Sequence, residues 1–489
     1  MSRQSHPLSD HAWPSRVALV ALSLGYIVLP VIEARFILAS SANIPISDTW
    51  NFVPIISSFA RTGHIPWGHI FAFYGDNRPV LERLGLLVDG KYFALNVQLV
   101  KLASVLVGAF ETLCAIWAFR LALPRMRPVG VLLAAYPVAL LIFCWNNWQN
   151  LLDEWNAMNL AGVALSFFAI LLIASVRPGR GNGVRFLSLA IVVCALASLT
   201  GESGNLSWIA CAFVLWLPNS RFRLVDKLVF SCVAVVFLAL YFSGSSGVAS
   251  GHPLHHLGKV IEFALICLGH GVIGGGVKEL ALARAIGVGE VVVVLIFAGL
   301  YLRDARLRVD RAAQVAAGLI AFGAMGAVAT GISRLQIGLG TAMSSRYIVL
   351  TAPVIIGIYL LLVRLVAIYQ ADERRRSPRM TKAGLFAIPC LLAAALSVIA
   401  IVSDLKESKA SPTKRAYYLA LKHMACDPSA YSDLDLSKFD HSGGLNGAEK
   451  AQLLAQMSDL RMAHLSVFSG GLCETYVRAG INPAVGKSS

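Results

Sequence analysis

Charge is what this 489-residue sequence has least of: Asp, Glu, Lys and Arg together make up 14% of it, where a soluble domain carries about a quarter. With 57% hydrophobic residues and a mean hydropathy of +0.67, that scarcity excludes an ordinary soluble globule and points to a chain embedded in a membrane. No complete GxxxxGK[ST], HExxH or GxSxG motif occurs, so a phosphate-cradling loop, a helix-borne zinc site and a nucleophile elbow are not expected. No CxxC or Cys/His spacing marks a structural metal, and His252, His255 and His256 in "HPLHH" are too irregularly placed to argue one. An internal repeat, the mark of many transporters, is also missing. No small-residue cleavage site follows the first apolar run, which extends past Phe36 behind Arg3 and Arg16; a retained first helix is expected.

What is present is a series of apolar runs of membrane-spanning length. Candidate spans fall at roughly 17–39, 94–119, 129–145, 157–176, 186–200, 204–217, 228–243, 283–302, 312–332, 347–369 and 383–402. The net charge of +15 sits in short clusters between these runs, the pattern that encodes membrane orientation, so nucleic acid is not an expected partner. "RLALPRMRP", "RPGRGNGVR", "NSRFRLVDK", "RDARLRVD" and "DERRRSPRMTK" are basic and belong inside. The segment 41–92, "WNNWQNLLDEWN", "TGESGN", "SGSSGVASGHPLHH" and "SRLQIGLGTAMSSR" then fall outside. Residues 260–276, short and glycine-rich, break the alternation if counted as a span; a re-entrant or interfacial helix entering from outside restores it. The expected fold is therefore all-α: a polytopic bundle of about eleven spans over 1–402, with surface helices in its first outer loop, 41–92. The N-terminus lies inside and a tail, 403–489, outside.

Seven cysteines (Cys114, Cys144, Cys194, Cys211, Cys232, Cys267 and Cys390) lie in apolar stretches, where cysteine acts as a small hydrophobe. Cys426 and Cys473 lie in the polar tail and can pair if it faces an oxidising compartment. That tail has ten Lys/Arg and nine Asp/Glu, without the basic bias of the inside loops. Leu453, Leu454, Met457, Leu460 and Leu465 recur at helical spacing, which predicts a small helical extension on the outer rim.

Two outer stretches concentrate polar and aromatic groups. In 41–92, "WNFVPIISSFART" (closed by Gly63) and "RPVLERLGLLV" (Pro79 in its first turn) have the pattern of amphipathic surface helices. Asp48, beside Trp50, is either a helix cap, a role Ser47 or Asn51 could share, or a reactive carboxylate. Asp76, with Asn77, is either a turn residue or a second acid. Arg78 and Glu82 stand four apart and can pair on one helix face, and Arg83 can anchor to lipid headgroups. In the second stretch, Trp145, Trp148 and Trp155 fit an interfacial aromatic belt. Asn147, Asp153 and Glu154, with Asn146, Gln149, Asn150 and Asn156, add the amides and acids of a sugar site. Glu202 in "TGESGN" is a solvent contact or a cavity-lining acid. Arg346, followed by Tyr347, and Arg334 are cations on the side where few are expected; they can snorkel to lipid or clamp a substrate phosphate.

The stretches "SDTWNFVP", "GDNRPVLERL", "WNNWQNLLDEWN", "TGESGN", "SSRY" and "DLRMAHLSVF", spread over most of the chain, resemble the GT-C class of membrane glycosyltransferases. More narrowly, the chain is similar to poorly characterised bacterial polytopic proteins of GT-C-like organisation. It departs from their pattern where Asp76-Asn77-Arg78 replaces a common Glu-His-Arg, and where Thr49 replaces a second acid. Both departures bear on any metal role and on which acid acts. The resemblance implies an inverting transfer of a sugar from a polyprenyl-phosphate donor to a glycan, lipid or protein acceptor, outside a bacterial inner membrane. Asp48 would be the general base, Arg346 with Arg78 would stabilise the departing phosphate, and the 145–156 cluster would hold sugar. No cofactor is expected, a divalent metal being the one left open. A transporter or flippase of a lipid-linked or anionic precursor, favoured by Lys101 and Glu111 inside the second span, and a non-catalytic scaffold are the competing classes.

Overall fold

In lipid a backbone must satisfy its own donors and acceptors, and a helix does so within one segment. The computed structural model describes residues 12–75, 77–176, 182–218, 221–244, 256–274, 277–373, 380–430, 432, 447–471 and 473. Among them every regular element is helical, with one isolated antiparallel bridge between Tyr74 and Asn77.

The helices run α1 (Ala12–Ser40), α2 (Val53–Thr62), α3 (Trp67–Ile70), α4 (Val80–Tyr92), α5 (Val97–Ala122), α6 (Pro128–Ile142), α7 (Trp148–Leu152), α8 (Ala157–Ser175), α9 (Gly183–Ser198), α10 (Leu206–Trp216), α11 (Leu224–Phe242), α12 (Leu257–Ile273), α13 (Leu280–Arg303), α14 (Ala305–Arg308), α15 (Arg311–Arg334), α16 (Ile348–Glu373), α17 (Met380–Cys426) and α18 (Gly447–Met462). Among the described residues nine helical stretches are long and apolar enough to cross a membrane: α1, α5, Pro128–Leu152, α8, α11, Val277–Arg303, Arg311–Ile337, Ser345–Gln370 and Ala387–Cys426. Two shorter apolar helices, Gly183–Ser198 and Ser203–Trp216, correspond to the expected spans at 186–200 and 204–217.

Burial separates centre from rim. The most apolar windows of α8, α15 and α16 are 72%, 61% and 78% buried, against 6% for α1 and 17% for α11. The rim helices leave leucines, valines and isoleucines exposed, the expected face toward lipid. Where helices approach closely, small residues make it possible. A Cβ on Gly269 would come 1.8 Å from the Ala283 carbonyl oxygen, and one on Gly287 would come 1.9 Å from that of Leu265, so α12 and α13 touch backbone to backbone. Further along α12, Val260 and Phe263 meet Gly331 near the end of α15, and Gly271 meets Thr351 near the start of α16. α12 thus passes across the ends of those two helices.

The connections sort to two ends. At one, Arg364 bridges Asp310 at 2.6 Å and donates to the Ala122 carbonyl, while Arg221 reaches Val176 and Val309. The basic loops around 120–127, 221–227 and 303–311 therefore lie together. At the other end the long first loop, 143–156, 199–205, 335–347 and the C-terminal extension form a cap. Leu81 N–H donates to the Leu199 carbonyl and Ser466 N–H to that of Ala94.

The extension differs from expectation in where it begins. α17 runs unbroken through 402–403 to Cys426, with Pro412 inside it, so the boundary falls in mid-helix. Hydropathy ends near 402, but Tyr418, Leu421, Met424 and Ala425 continue the apolar stripe and bury it in the cap. α18 then packs on α2 through Leu453, Met457 and Leu460; Leu465 is buried just beyond, and Leu454 is exposed. The structure joins Cys426 and Cys473 in a disulfide, Cα atoms 5.3 Å apart.

Candidate functional site

Asp48 lies in a 3-10 turn, Ser47–Phe52, whose N-cap Ile46 accepts no side-chain cap. Neither α2 nor this turn uses Asp48, Ser47 or Asn51 as a capping side chain. Ser47 instead holds φ at +52°, a left-handed conformation that costs a non-glycine residue about 1–3 kcal/mol. The strained turn presents Asp48 half-buried, its Oδ1 accepting from the Tyr74 hydroxyl at 2.8 Å. Asn51 Nδ2 donates to that same hydroxyl at 2.8 Å, which orients the phenol toward the carboxylate. Phe52, Tyr74 and Trp155 form the wall behind: Phe52 stacks on Trp155 at 4.9 Å and Tyr74 meets both edge-on.

Beneath Asp48 is a layer of buried acids. Glu82 is 2% exposed; burial, then Asp153, Glu154 and Asp48, push its carboxyl well above the usual range, against a smaller pull from Arg83. Asp153 is raised too, by burial and then Glu154, with Lys101 opposing; it accepts from Trp155 N–H and Asn156 Nδ2. Both are held toward the neutral form. Glu154 is different: at 0% exposure it faces Lys101 Nζ at 3.3 Å, also at 0%, and its Oε1 accepts from Ile46 N–H at 2.8 Å. Lys101 also lies 4.7 Å over the Tyr418 ring. One ion pair thus ties α5, the Asp48 turn, the 145–156 segment and α17.

That segment holds Arg346 as well. Gln149 Oε1 accepts from the hydroxyls of Ser344 and Ser345 and from Arg346 N–H, at 2.7, 3.0 and 3.1 Å. Asn150 Nδ2 donates to the Arg346 carbonyl. The Arg346 guanidinium stands 5.0 Å over the Tyr347 ring, with no carboxylate in ion-pair reach among the described residues. Residues 145–156 are therefore a bracket gripping the Asp48 turn at one end and the Arg346 turn at the other.

Other expected site residues are placed differently. Trp50 (3% exposed) and Tyr347 (7%) are buried, as is Asn147, so none of them meets a surface-bound substrate directly. Trp145 stacks on Phe36 at 4.3 Å and Trp148 lies under Lys414 Nζ at 4.1 Å, so one face of each ring is already occupied. Arg78 and Glu82 do not pair: α4 starts at Val80, after Pro79, and Arg78 points back to the Phe71 and Ser243 carbonyls and the Phe73 ring. Arg83 is no headgroup anchor; it is 4% exposed and donates to the carbonyls of His69, Ile70 and Ala72, with burial lowering its pKa to about 10. Arg334 ends α15, half-buried, and Asn77 pairs its backbone with Tyr74. Asp76, the side chain of Glu202, His252 and His255 lie outside the described residues. No group of three or more His, Cys, Asp or Glu is arranged to hold a metal among the described residues.

Three groups carry more than their sequence setting signalled: Tyr74, Gln149 and Lys101. The signal for Lys101 was a cation one turn into an apolar span, which needs a partner. Comparison with protein-family models, curated proteins and solved structures finds no match for the chain.

Proposed function

We propose that this protein is a multi-pass membrane glycosyltransferase acting at the outer face of a bacterial inner membrane, with a polyprenyl-phosphate sugar as donor. The observation that carries this is the bracket 145–156, which holds a half-buried, oriented carboxylate (Asp48) and an unpaired guanidinium (Arg346) on one cap. An acid to accept a proton and a cation to receive a phosphate are the two groups such a transfer needs. Asp48 takes the proton of the acceptor hydroxyl as its oxygen bonds to the anomeric carbon. The bond from that carbon to the phosphate oxygen breaks, its electron pair leaves on the phosphate, and Arg346 offsets the charge. Attack opposite the leaving group inverts the anomeric centre. Tyr74 and Trp155, half-buried in front of Phe52, offer aromatic edges to the sugar, and a glycan, lipid or protein hydroxyl is the acceptor.

The gathering of basic loops at the end opposite the cap supports the orientation: N-terminus and basic loops inside, cap and C-terminal extension outside. Eleven crossings follow if α9 and α10 span with their flanking residues, with α12 lying at the outer boundary. A flippase or transporter is the second reading, favoured by Glu111, buried near the middle of α5; its function would be lost with Glu111→Gln and kept with Asp48→Asn. The test is to compare envelope glycans from a deletion strain complemented with wild type, Asp48→Asn or Glu111→Gln. Loss with Asp48→Asn alone supports the transferase; equal restoration by Asp48→Asn and wild type removes Asp48 from catalysis.

A further inference from the structure

Where α5, α6, α8, α12, α16 and α17 converge, a cavity of about 30 Å³ has room for about one or two water-sized occupants. Glu111 lines it, 5% exposed, with no cation or donor paired to its carboxylate among the described residues. Asn147 lines it too, also 5% exposed, and its Oδ1 has no hydrogen-bond donor among the described residues. Leu141 and Ile142, the last residues of α6, also line it.

A buried carboxylate and an orphaned amide oxygen are both acceptors, and nothing lining the cavity is a cation. Buried charge in an apolar interior is paired or coordinated. We propose that this cavity is a monovalent-cation site, with sodium as its occupant. One carboxylate balances one positive charge; a divalent ion would keep an uncompensated charge in a low-dielectric interior. The occupied site fastens α5 to the turn that begins the 145–156 bracket. Asn147 belongs to the bracket on which the transferase reading rests, but neither Asp48 nor Tyr74 lines the cavity, so sodium binding is measured apart from that reading.

The test uses the full chain purified in detergent, melted in sodium, potassium or choline chloride at equal ionic strength, with ²²Na⁺ binding measured in parallel. One sodium per chain is expected, with a saturable rise in melting temperature specific to sodium. At ten times the dissociation constant the folded-to-unfolded ratio rises about 11-fold. Glu111→Gln, nearly isosteric, abolishes both effects, Asn147→Ala weakens binding at least tenfold, and Asp48→Asn leaves binding intact. Identical melting in the three salts with no bound ²²Na⁺ overturns the proposal, since a protonated Glu111 beside a water would behave so. Sodium binding that survives Glu111→Gln overturns it too. If Glu111→Gln does not fold, wild-type stoichiometry together with Asn147→Ala decides.

Discussion

Replacing Lys101 by methionine removes a charge and preserves length, leaving the Glu154 carboxyl without its partner where neither side chain has any solvent exposure. Breaking a buried pair in this way costs about 3–5 kcal/mol, because the remaining charge has no compensation. Ile46 N–H donates to Glu154 Oε1 in wild type and variant alike, so that bond leaves the difference unchanged. With an unfolding entropy of about 2.1 cal/mol/K per residue, a 489-residue chain converts 3–5 kcal/mol into a fall of about 3–5 °C. The companion is Lys101→Met with Glu154→Gln, which removes the stranded charge and keeps an acceptor for Ile46 N–H. It should recover at least half of the loss, a coupling within the range of contacting residues. Thermal melts of purified protein in one detergent measure all three variants. A Lys101→Met melting within 1 °C of wild type, or a double variant worse than the single, would refute the assignment of this pair as the cap's anchor.

Asp89, buried and accepting from Asn96 N–H, has its pKa raised from 3.8 to about 7, chiefly by burial. The fold holds that proton to higher pH than the unfolded chain, so stability is lost as pH rises from about 4 to 7. Asp89→Asn should leave stability below about pH 4 unchanged and raise it at pH 8, by about 4 kcal/mol at most. Reducing the Cys426–Cys473 bridge, which spans 47 residues, releases about 4 kcal/mol of chain constraint in the loop-entropy description; hydrogen exchange over 447–462 should rise before that of α15. Arg346→Lys keeps the charge and loses the fork, so sugar transfer should fall at least tenfold in kcat with the melting temperature unchanged.

The apolar runs made the helices legible, and the alternation of basic linkers anticipated which connections share an end, because both signals are local. α17 was misjudged because hydropathy fades at 402, while Tyr418 and Leu421 keep the helix ordered by packing on a cap that sequence order does not show. The Arg78–Glu82 pair failed on a local rule: helical spacing was counted across Pro79, which lies before the helix begins. Gly85–Lys91 with Tyr92 has most of a phosphate-loop spacing yet lies inside α4, with Gly90 set against Ile56. The Asp48 turn was visible as a candidate, but its strained Ser47 and its link to Tyr74 were not. Lys101 with Glu154, and Gln149 with Ser344 to Arg346, join residues far apart in sequence, and no periodicity encodes such pairs.

The most direct test is sugar transfer in isolated membranes, followed as label moving from the polyprenyl-phosphate fraction into envelope acceptor. Asp48→Asn keeps the shape of the side chain and its contact with Tyr74 but cannot take a proton. At matched expression and melting temperature the transfer rate should fall about 10²–10⁴-fold, the usual contribution of a general base. A rate within threefold of wild type would contradict Asp48 as the base.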